Sequence, residues 1–205
     1  IWCLIMTKGM KWWLNTDIRV IGKIPSKNKV VIYAIKHQSA WETVFCTDLF
    51  SMPSIVLKKA LIFLPVIGLY FLRSGAIPIT RDQGINALKK MGRNAKRAVK
   101  EKRSMMIFPQ GTRVSPGVSA KEKPYLPGVF FLYSQTKVSV VPVAHNAGLL
   151  WPKNSFIKYP SRLKSKSITI KILPEIQPGL SKIEFLKKLE TIIENSSNEL
   201  IKLES

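Results

Sequence analysis

The apolar run Val30-Val31-Ile32-Tyr33-Ala34-Ile35 passes without a break into Lys36-His37-Gln38-Ser39-Ala40-Trp41-Glu42. A β-branched run of that length, entered from the turn-rich Pro25-Ser26-Lys27-Asn28, predicts a buried strand. Ser39-Ala40-Trp41-Glu42 has the form of a capping box, Ser39 at the N-cap and Glu42 at N3, so a helix is expected to begin near Ala40. His37 then falls in a strand-to-helix turn at the carboxyl end of a strand, where open α/β sheets bind ligands. Two readings of the pair stand side by side. In one, Glu42 only caps the helix and His37 is a loop histidine. In the other, the carboxylate fixes the tautomer of the imidazole and leaves its second nitrogen free to take a proton from a hydroxyl. Residues five apart do not share a helix face, so the second reading requires His37 to precede the helix.

The rest of the chain alternates in the same way. Short strands are expected at 17–24, with a break at Gly22, and at 54–57, 75–81, 104–108, 138–144 and 167–173. Pro142 within the fifth of these points to an edge or a bulge. Helices are expected at 40–50, 84–103 and 125–135, and over 181–203 as one amphipathic helix or a broken pair. In 84–103, Ile85, Leu88, Met91, Ala95 and Val99 repeat at helical spacing, while Lys89, Lys90, Arg93, Lys96, Arg97, Lys100 and Lys102 line the other face. Such a charge run is a solvated face or a contact with an anionic surface. The strand 104–108 runs into Pro109-Gln110-Gly111-Thr112-Arg113. There a glycine lets backbone N–H groups approach an anion, Thr112 offers a hydroxyl, and Arg113 offers a fork that fits phosphate. A plain turn with a surface arginine is the other reading. His145 follows the strand 138–144 with no acidic neighbour in sequence and reads as structural.

The most apolar window, Leu61 to Leu72, is broken by Pro65 and Gly68 and is too short to span a bilayer. Core packing, a groove for a hydrocarbon chain and a membrane-dipping surface all fit it. Ile1 to Met6 is apolar and is followed by Lys8, Lys11, Trp12 and Trp13, a pattern suited to a membrane–water interface or to a packed amphipathic helix. The chain opens on Ile1, so residues 1–16 are expected to be the exit end of a membrane-associated segment, with one α/β domain over 17–205. Lys+Arg number 33 against 12 Asp+Glu, a formal charge of +21, which draws the chain to nucleic acid, anionic lipid or phosphorylated substrates. The aromatics lie in apolar runs rather than on a basic stacking platform, which argues against nucleic acid. Cys3 and Cys46 lie far apart and read as reduced thiols facing a cytosol. No Cys/His cluster has metal-ligand spacing, so no metal is expected.

Four ordered blocks carry a family resemblance: His37 to Glu42, Gly75 to Arg81, Phe108 to Arg113, and Val141-Pro142-Val143. They resemble the 1-acylglycerol-3-phosphate acyltransferases, which show H-x-x-x-x-D, a glycine-containing block ending in arginine, F-P-E-G-T-R and a proline-containing apolar strand. Lys58, Pro65 and Gly68 resemble the segment between the first two blocks, and the likeness spans about Gly22 to Pro152. Glu42 stands where the family has Asp, and Gln110 where it has Glu.

The resemblance implies a single glycerolipid acyltransferase-like α/β domain, its mainly parallel or mixed sheet flanked by helices, at the cytoplasmic face of a membrane. It implies acyl transfer from acyl-CoA or an acyl carrier protein to 1-acyl-sn-glycerol-3-phosphate, with these thioesters as co-substrates and no bound cofactor. His37 would be the general base and Glu42 its orienter. Arg81, Gly111, Thr112 and Arg113 would hold the acceptor phosphate, with Gln110 and Lys58 positioning substrate. The window with Phe63, Leu64 and Ile67 would form the acyl-chain groove. Glycerol-3-phosphate or another lysophospholipid is an alternative acceptor. A non-catalytic basic protein that binds lipid or nucleic acid is the alternative from another class.

Overall fold

Period-2 apolar runs become strands and period-3.6 runs become helices along the whole chain. The strands are β1 (Asp17–Ile21), β2 (Ile32–Ile35), β3 (Ser54–Lys58), β4 (Ile77–Ile79), β5 (Met105–Ile107), β6 (Val140–His145) and β7 (Ser167–Ile172). The helices are α1 (Trp41–Leu49), α2 (Ile67–Arg73), α3 (Gly84–Lys100), α4 (Gly128–Thr136), the single turn α5 (Ala147–Leu150) and α6 (Lys182–Lys202). The computed structural model describes residues 15–65, 67–80, 84–155, 157–162, 164–165 and 167–204, together with 8, 9 and 12. Most of the expected membrane-associated segment 1–16 therefore lies outside the described residues. No described helix is long and apolar enough to cross a membrane.

One seven-stranded sheet runs in the order β1-β7-β6-β2-β5-β3-β4. The ladder between β6 and β7 is antiparallel, and the others are parallel. The sheet is thus mixed: β2 to β6 share one direction, and β1 and β7 run against them. β2 is central, with Ile32 opposite both Met105 of β5 and Val140 of β6. Its alternation divides the core. Tyr33 and Ile35 pack with Trp41 and Cys46 of α1 and Phe71 of α2 on one face. Ile32 and Ala34 pack with Met91 of α3, Leu132 of α4 and Phe185 of α6 on the other.

Two expectations change. Pro142 sits in a strand paired on both sides, not at an edge. Its carbonyl accepts from the Leu173 N–H at 3.0 Å, so its nitrogen faces the β7 side. There the Leu173 N–H bond has no reciprocal, and the register slips by one residue before the isolated Val140–Ile176 bridge, the kind of bulge at which a proline is tolerated. The window Leu61 to Leu72 folds as a 3₁₀ turn, Lys59–Phe63, followed by α2. Leu61, Phe63, Leu64, Leu69 and Leu72 are exposed, which rules out core packing for most of it. Gly68 is required because a Cβ there would run into the Ile62 carbonyl where α2 packs on the 3₁₀ turn.

The C-terminal segment is a single helix rather than a broken pair. Ser181 and Glu184 form a reciprocal capping box that starts it. Phe185, fully buried, stacks on Tyr133 of α4 at 4.2 Å between ring centroids. Phe185→Ala is expected to cost about 3–5 kcal/mol, read as a lowered urea midpoint at unchanged slope. A loss below about 1 kcal/mol would show that α6 is not part of the core.

Candidate active site

The turn after β2 is built around the Glu42 carboxylate, which is fully buried. Its Oε1 accepts from His37 Nδ1 at 2.7 Å, from the Gln38 N–H at 2.9 Å and from the Ser39 N–H at 2.8 Å. Its Oε2 accepts from the Ser39 N–H at 3.0 Å. Glu42 thus reaches back over the helix start as the N3 residue of a capping box does. The other half differs from expectation, because the Ser39 hydroxyl accepts from the Trp41 N–H, at 3.1 Å, rather than from that of Glu42. Ala40, at the N-cap, makes no side-chain cap.

Burial alone would push the Glu42 carboxyl up. The nearby His145 ring, the hydrogen bond and charge of His37, and the Ser39 N–H outweigh it and hold the carboxyl below its ordinary value. An ionised Glu42 only accepts, so His37 must carry its proton on Nδ1. Its Nε2 then presents a lone pair, with no protein partner among the described residues. The ring stacks on Phe108 at 4.0 Å, and the His37 carbonyl accepts from the Val114 N–H at 2.7 Å.

Phe108 follows β5 and opens the Pro109-Gln110-Gly111-Thr112-Arg113 turn. The Gly111 N–H closes that turn on the Phe108 carbonyl at 2.9 Å, with Gly111 at φ +66° where a side chain would be strained. His37, Lys58, Gly111, Thr112 and Arg113 line one cavity of about 640 Å³. Its other walls are apolar, including Val56 and Leu57 of β3, Leu88 and Met91 of α3, Ile107 and Leu126. Parallel β2, β3 and β5 bring these residues to one edge of the sheet.

Several expected site residues fall elsewhere. Gln110 is buried but turned away from the cavity, where its Nε2 donates to the Lys123 carbonyl at 2.8 Å. Substrate contact by Gln110 is therefore not what the structure shows. A glutamate has no N–H to give that carbonyl. Phe63 and Leu64, expected in the groove, point to solvent at 75% and 44% exposure, because the 3₁₀ turn directs them outward. From that window Leu61 and Phe71 line the cavity instead. Arg81 lies outside the described residues, as does the side chain of Ile67.

The apolar wall from β3 and α3 was not assigned to the site from the sequence. The signal was present in Leu88 and Met91 at helical spacing, but it has the same form as plain core. His145 is buried, donating from Nε2 to the Lys36 carbonyl at 2.6 Å and accepting at Nδ1 from the Ala147 N–H at 3.2 Å. Burial holds it below its ordinary value despite the Glu42 charge. Among the described residues no group of three His, Cys, Asp or Glu side chains is arranged to hold a metal ion.

A profile of the Acyltransferase family matches residues 17–146. The 1-acyl-sn-glycerol-3-phosphate acyltransferase of Pseudomonas aeruginosa is 34% identical over 164 residues, which are 80% of this chain and 60% of that protein. The enzyme of the same name from Saccharomyces cerevisiae is 29% identical over 147 residues, 70% of this chain and 48% of that protein. The chain thus spans about half to three-fifths of the length of these relatives. The crystal structure of the 1-acyl-sn-glycerophosphate (LPA) acyltransferase PlsC from Thermotoga maritima superposes with a TM-score of 0.75 at 23% identity. That match covers 97% of this chain and 78% of the other, and the two folds are alike.

The shifts of His145 and Glu42 predict acid sensitivity. His145 binds a proton less readily folded than unfolded, so stability is lost as pH falls below its ordinary 6.5. Glu42 is held below its ordinary 4.5, so its contribution is present above that pH and is lost as pH falls through the lowered value. The urea midpoint should therefore decline from neutral pH toward acid in two stages. His145→Gln should flatten the upper stage, which sets in as pH falls below 6.5. An unchanged profile in that variant would remove His145 as its cause.

Proposed function

The chain belongs to the acyltransferase family, and from that premise we propose that it transfers an acyl group from a thioester to the free hydroxyl of 1-acyl-sn-glycerol-3-phosphate, giving phosphatidic acid. The observation that carries this reading is the His37–Glu42 pair at 2.7 Å, facing a cavity with Arg113 at its polar end and hydrocarbon along its walls. The named relatives support the choice of reaction.

In this mechanism the acceptor hydroxyl gives its proton to His37 Nε2 as its oxygen attacks the thioester carbonyl. The tetrahedral intermediate collapses, the carbon–sulfur bond breaks, and the imidazolium returns the proton to the departing thiolate. General-base help of this kind is worth roughly 10²–10⁴-fold. Glu42 holds the ring and stabilises its charged form, as the acid of a Ser-His-Asp triad does. The nucleophile comes from the substrate, so no enzyme serine is acylated. Arg113, with Thr112 and the Gly111 turn, would bind the acceptor phosphate and so bring the hydroxyl to His37. Arg81 is proposed to assist, and Lys58 to bind an anionic group at the rim. The walls formed by Val56, Leu88 and Met91 would take an acyl chain.

Acyl-CoA and acyl carrier protein both fit as donors, and no bound cofactor is needed for the steps above. The proposed location is the cytoplasmic face of an anionic membrane. The exposed Leu61, Phe63, Leu64, Leu69 and Leu72, the neighbouring Lys58, Lys59 and Arg73, and a formal charge of +21 support membrane contact. Lysophosphatidic acid, a thioester donor and the lipid surface, rather than nucleic acid, are the partners this reading requires.

Thiol release from an acyl thioester tests the proposal. It should depend on 1-acylglycerol-3-phosphate and be lost in His37→Ala. Release with glycerol-3-phosphate alone would keep the mechanism and change the acceptor. No release with any acceptor would favour a non-catalytic lipid-binding protein. Arg113→Ala should raise the acceptor KM by about 10–100-fold, the loss of one charge-assisted contact. A rise confined to the thioester KM would refute the phosphate assignment. Met91→Ala, at the buried wall, should shift preference toward longer acyl chains, and an unchanged chain-length profile would return Met91 to plain core.

A further inference from the structure

Lys36 is the residue before His37, and its side chain leaves the sheet on the opposite face. Side chains alternate along a strand. Tyr33 and Ile35 face α1, and Ile32 and Ala34 face α3, α4 and α6, so Lys36 falls on the α6 side. There it is buried, with Nζ 2.6 Å from Oε1 of Glu194 on α6. The same oxygen accepts from the Tyr125 hydroxyl at 3.0 Å. The Lys36 backbone is held as well. Its N–H donates to the Val143 carbonyl at 3.0 Å, and its carbonyl accepts from His145 Nε2 at 2.6 Å. Tyr125 is followed by Leu126, Pro127 and Gly128, which line the cavity, and the Leu126 N–H donates to the Pro109 carbonyl at 2.9 Å. One carboxylate on α6 therefore ties together the strand end that carries His37 and a loop that lines the cavity.

A buried ion pair is a poor source of stability, because apolar residues of similar volume often serve as well or better. What the pair supplies here is direction. An apolar replacement fills the space but does not fix the Lys36 side chain to one point on α6, and the peptide leading into His37 turns with that side chain.

We propose that Lys36, Glu194 and Tyr125 are positioning residues for the transfer reaction, and that α6, beyond the family-matched segment 17–146, belongs to the frame of the active site. The proposal rests on the reading of His37 as the base.

The test uses the full chain labelled with ¹⁵N at its histidines. There are two, so His145→Gln assigns both rings. The charge-free double variant Lys36→Met/Glu194→Leu should fold, with Tm within about 5 °C of the parent. Its kcat should fall by about 10–100-fold, while the thioester KM changes by less than about twofold. The His37 Nδ1 proton and ring ¹⁵N resonances should move. Tyr125→Phe, which keeps the ion pair and the ring, should give a smaller change of the same kind. Parental His37 resonances in the double variant would overturn the proposal whatever its turnover. If the double variant does not fold, unchanged resonances in Tyr125→Phe overturn it. Moved resonances in a chain whose parent releases no thiol would support the positioning and refute the base assignment instead.

Discussion

The Glu42 carboxylate is out of contact with water and takes three N–H donors: the His37 ring and the backbones of Gln38 and Ser39. It also sits in the first turn of α1, where the unpaired N–H groups of a helix favour negative charge. These donors compensate its desolvation and at the same time fix where the chain leaves β2. The tautomer of His37, the start of α1 and the path of residues 38 and 39 are consequences of one buried charge. The extra methylene of glutamate over aspartate suits this geometry, because the group must reach back past the helix start to meet all three donors.

The cavity beyond it divides by chemistry along its length. Its polar end is made by turns, with Arg113 and Thr112 beside a glycine in the left-handed region. Its apolar walls are made by a strand and a helix, β3 and α3, with Leu61 at its margin. The exposed leucines around Leu61 extend the apolar character from the cavity to the outer surface.

Much of this arrangement was legible in the sequence. The strand-to-helix junction at His37, the Gly111 turn and the alternation of elements follow from local rules, and each was found close to its expected bounds. What was not legible depends on direction in space. Phe63 and Leu64 have the composition of a groove, yet the 3₁₀ turn aims them outward. Leu88 and Met91 have the spacing of core and prove to line the cavity. Gln110 lies inside the most informative motif, but its amide is engaged with the Lys123 carbonyl. Pro142 was read as an edge or a bulge, and local sequence does not choose between them, because the register slip beside it lies in the distant segment 173–176. The contact between Lys36 and Glu194 spans 158 residues, a separation at which no local pattern operates.

The pairing of β1 with β7 joins Asp17 to Ser167, positions far apart in the chain. A nascent chain that has emerged only as far as residue 146 contains β1 but not its described strand partner. Until β7 follows, the backbone of residues 17–21 has open hydrogen-bonding groups beside the apolar side chains of Val20 and Ile21. The sheet is therefore completed late in synthesis: until then β1 is unpaired on both sides, and among the described strands its outer side stays an edge afterwards.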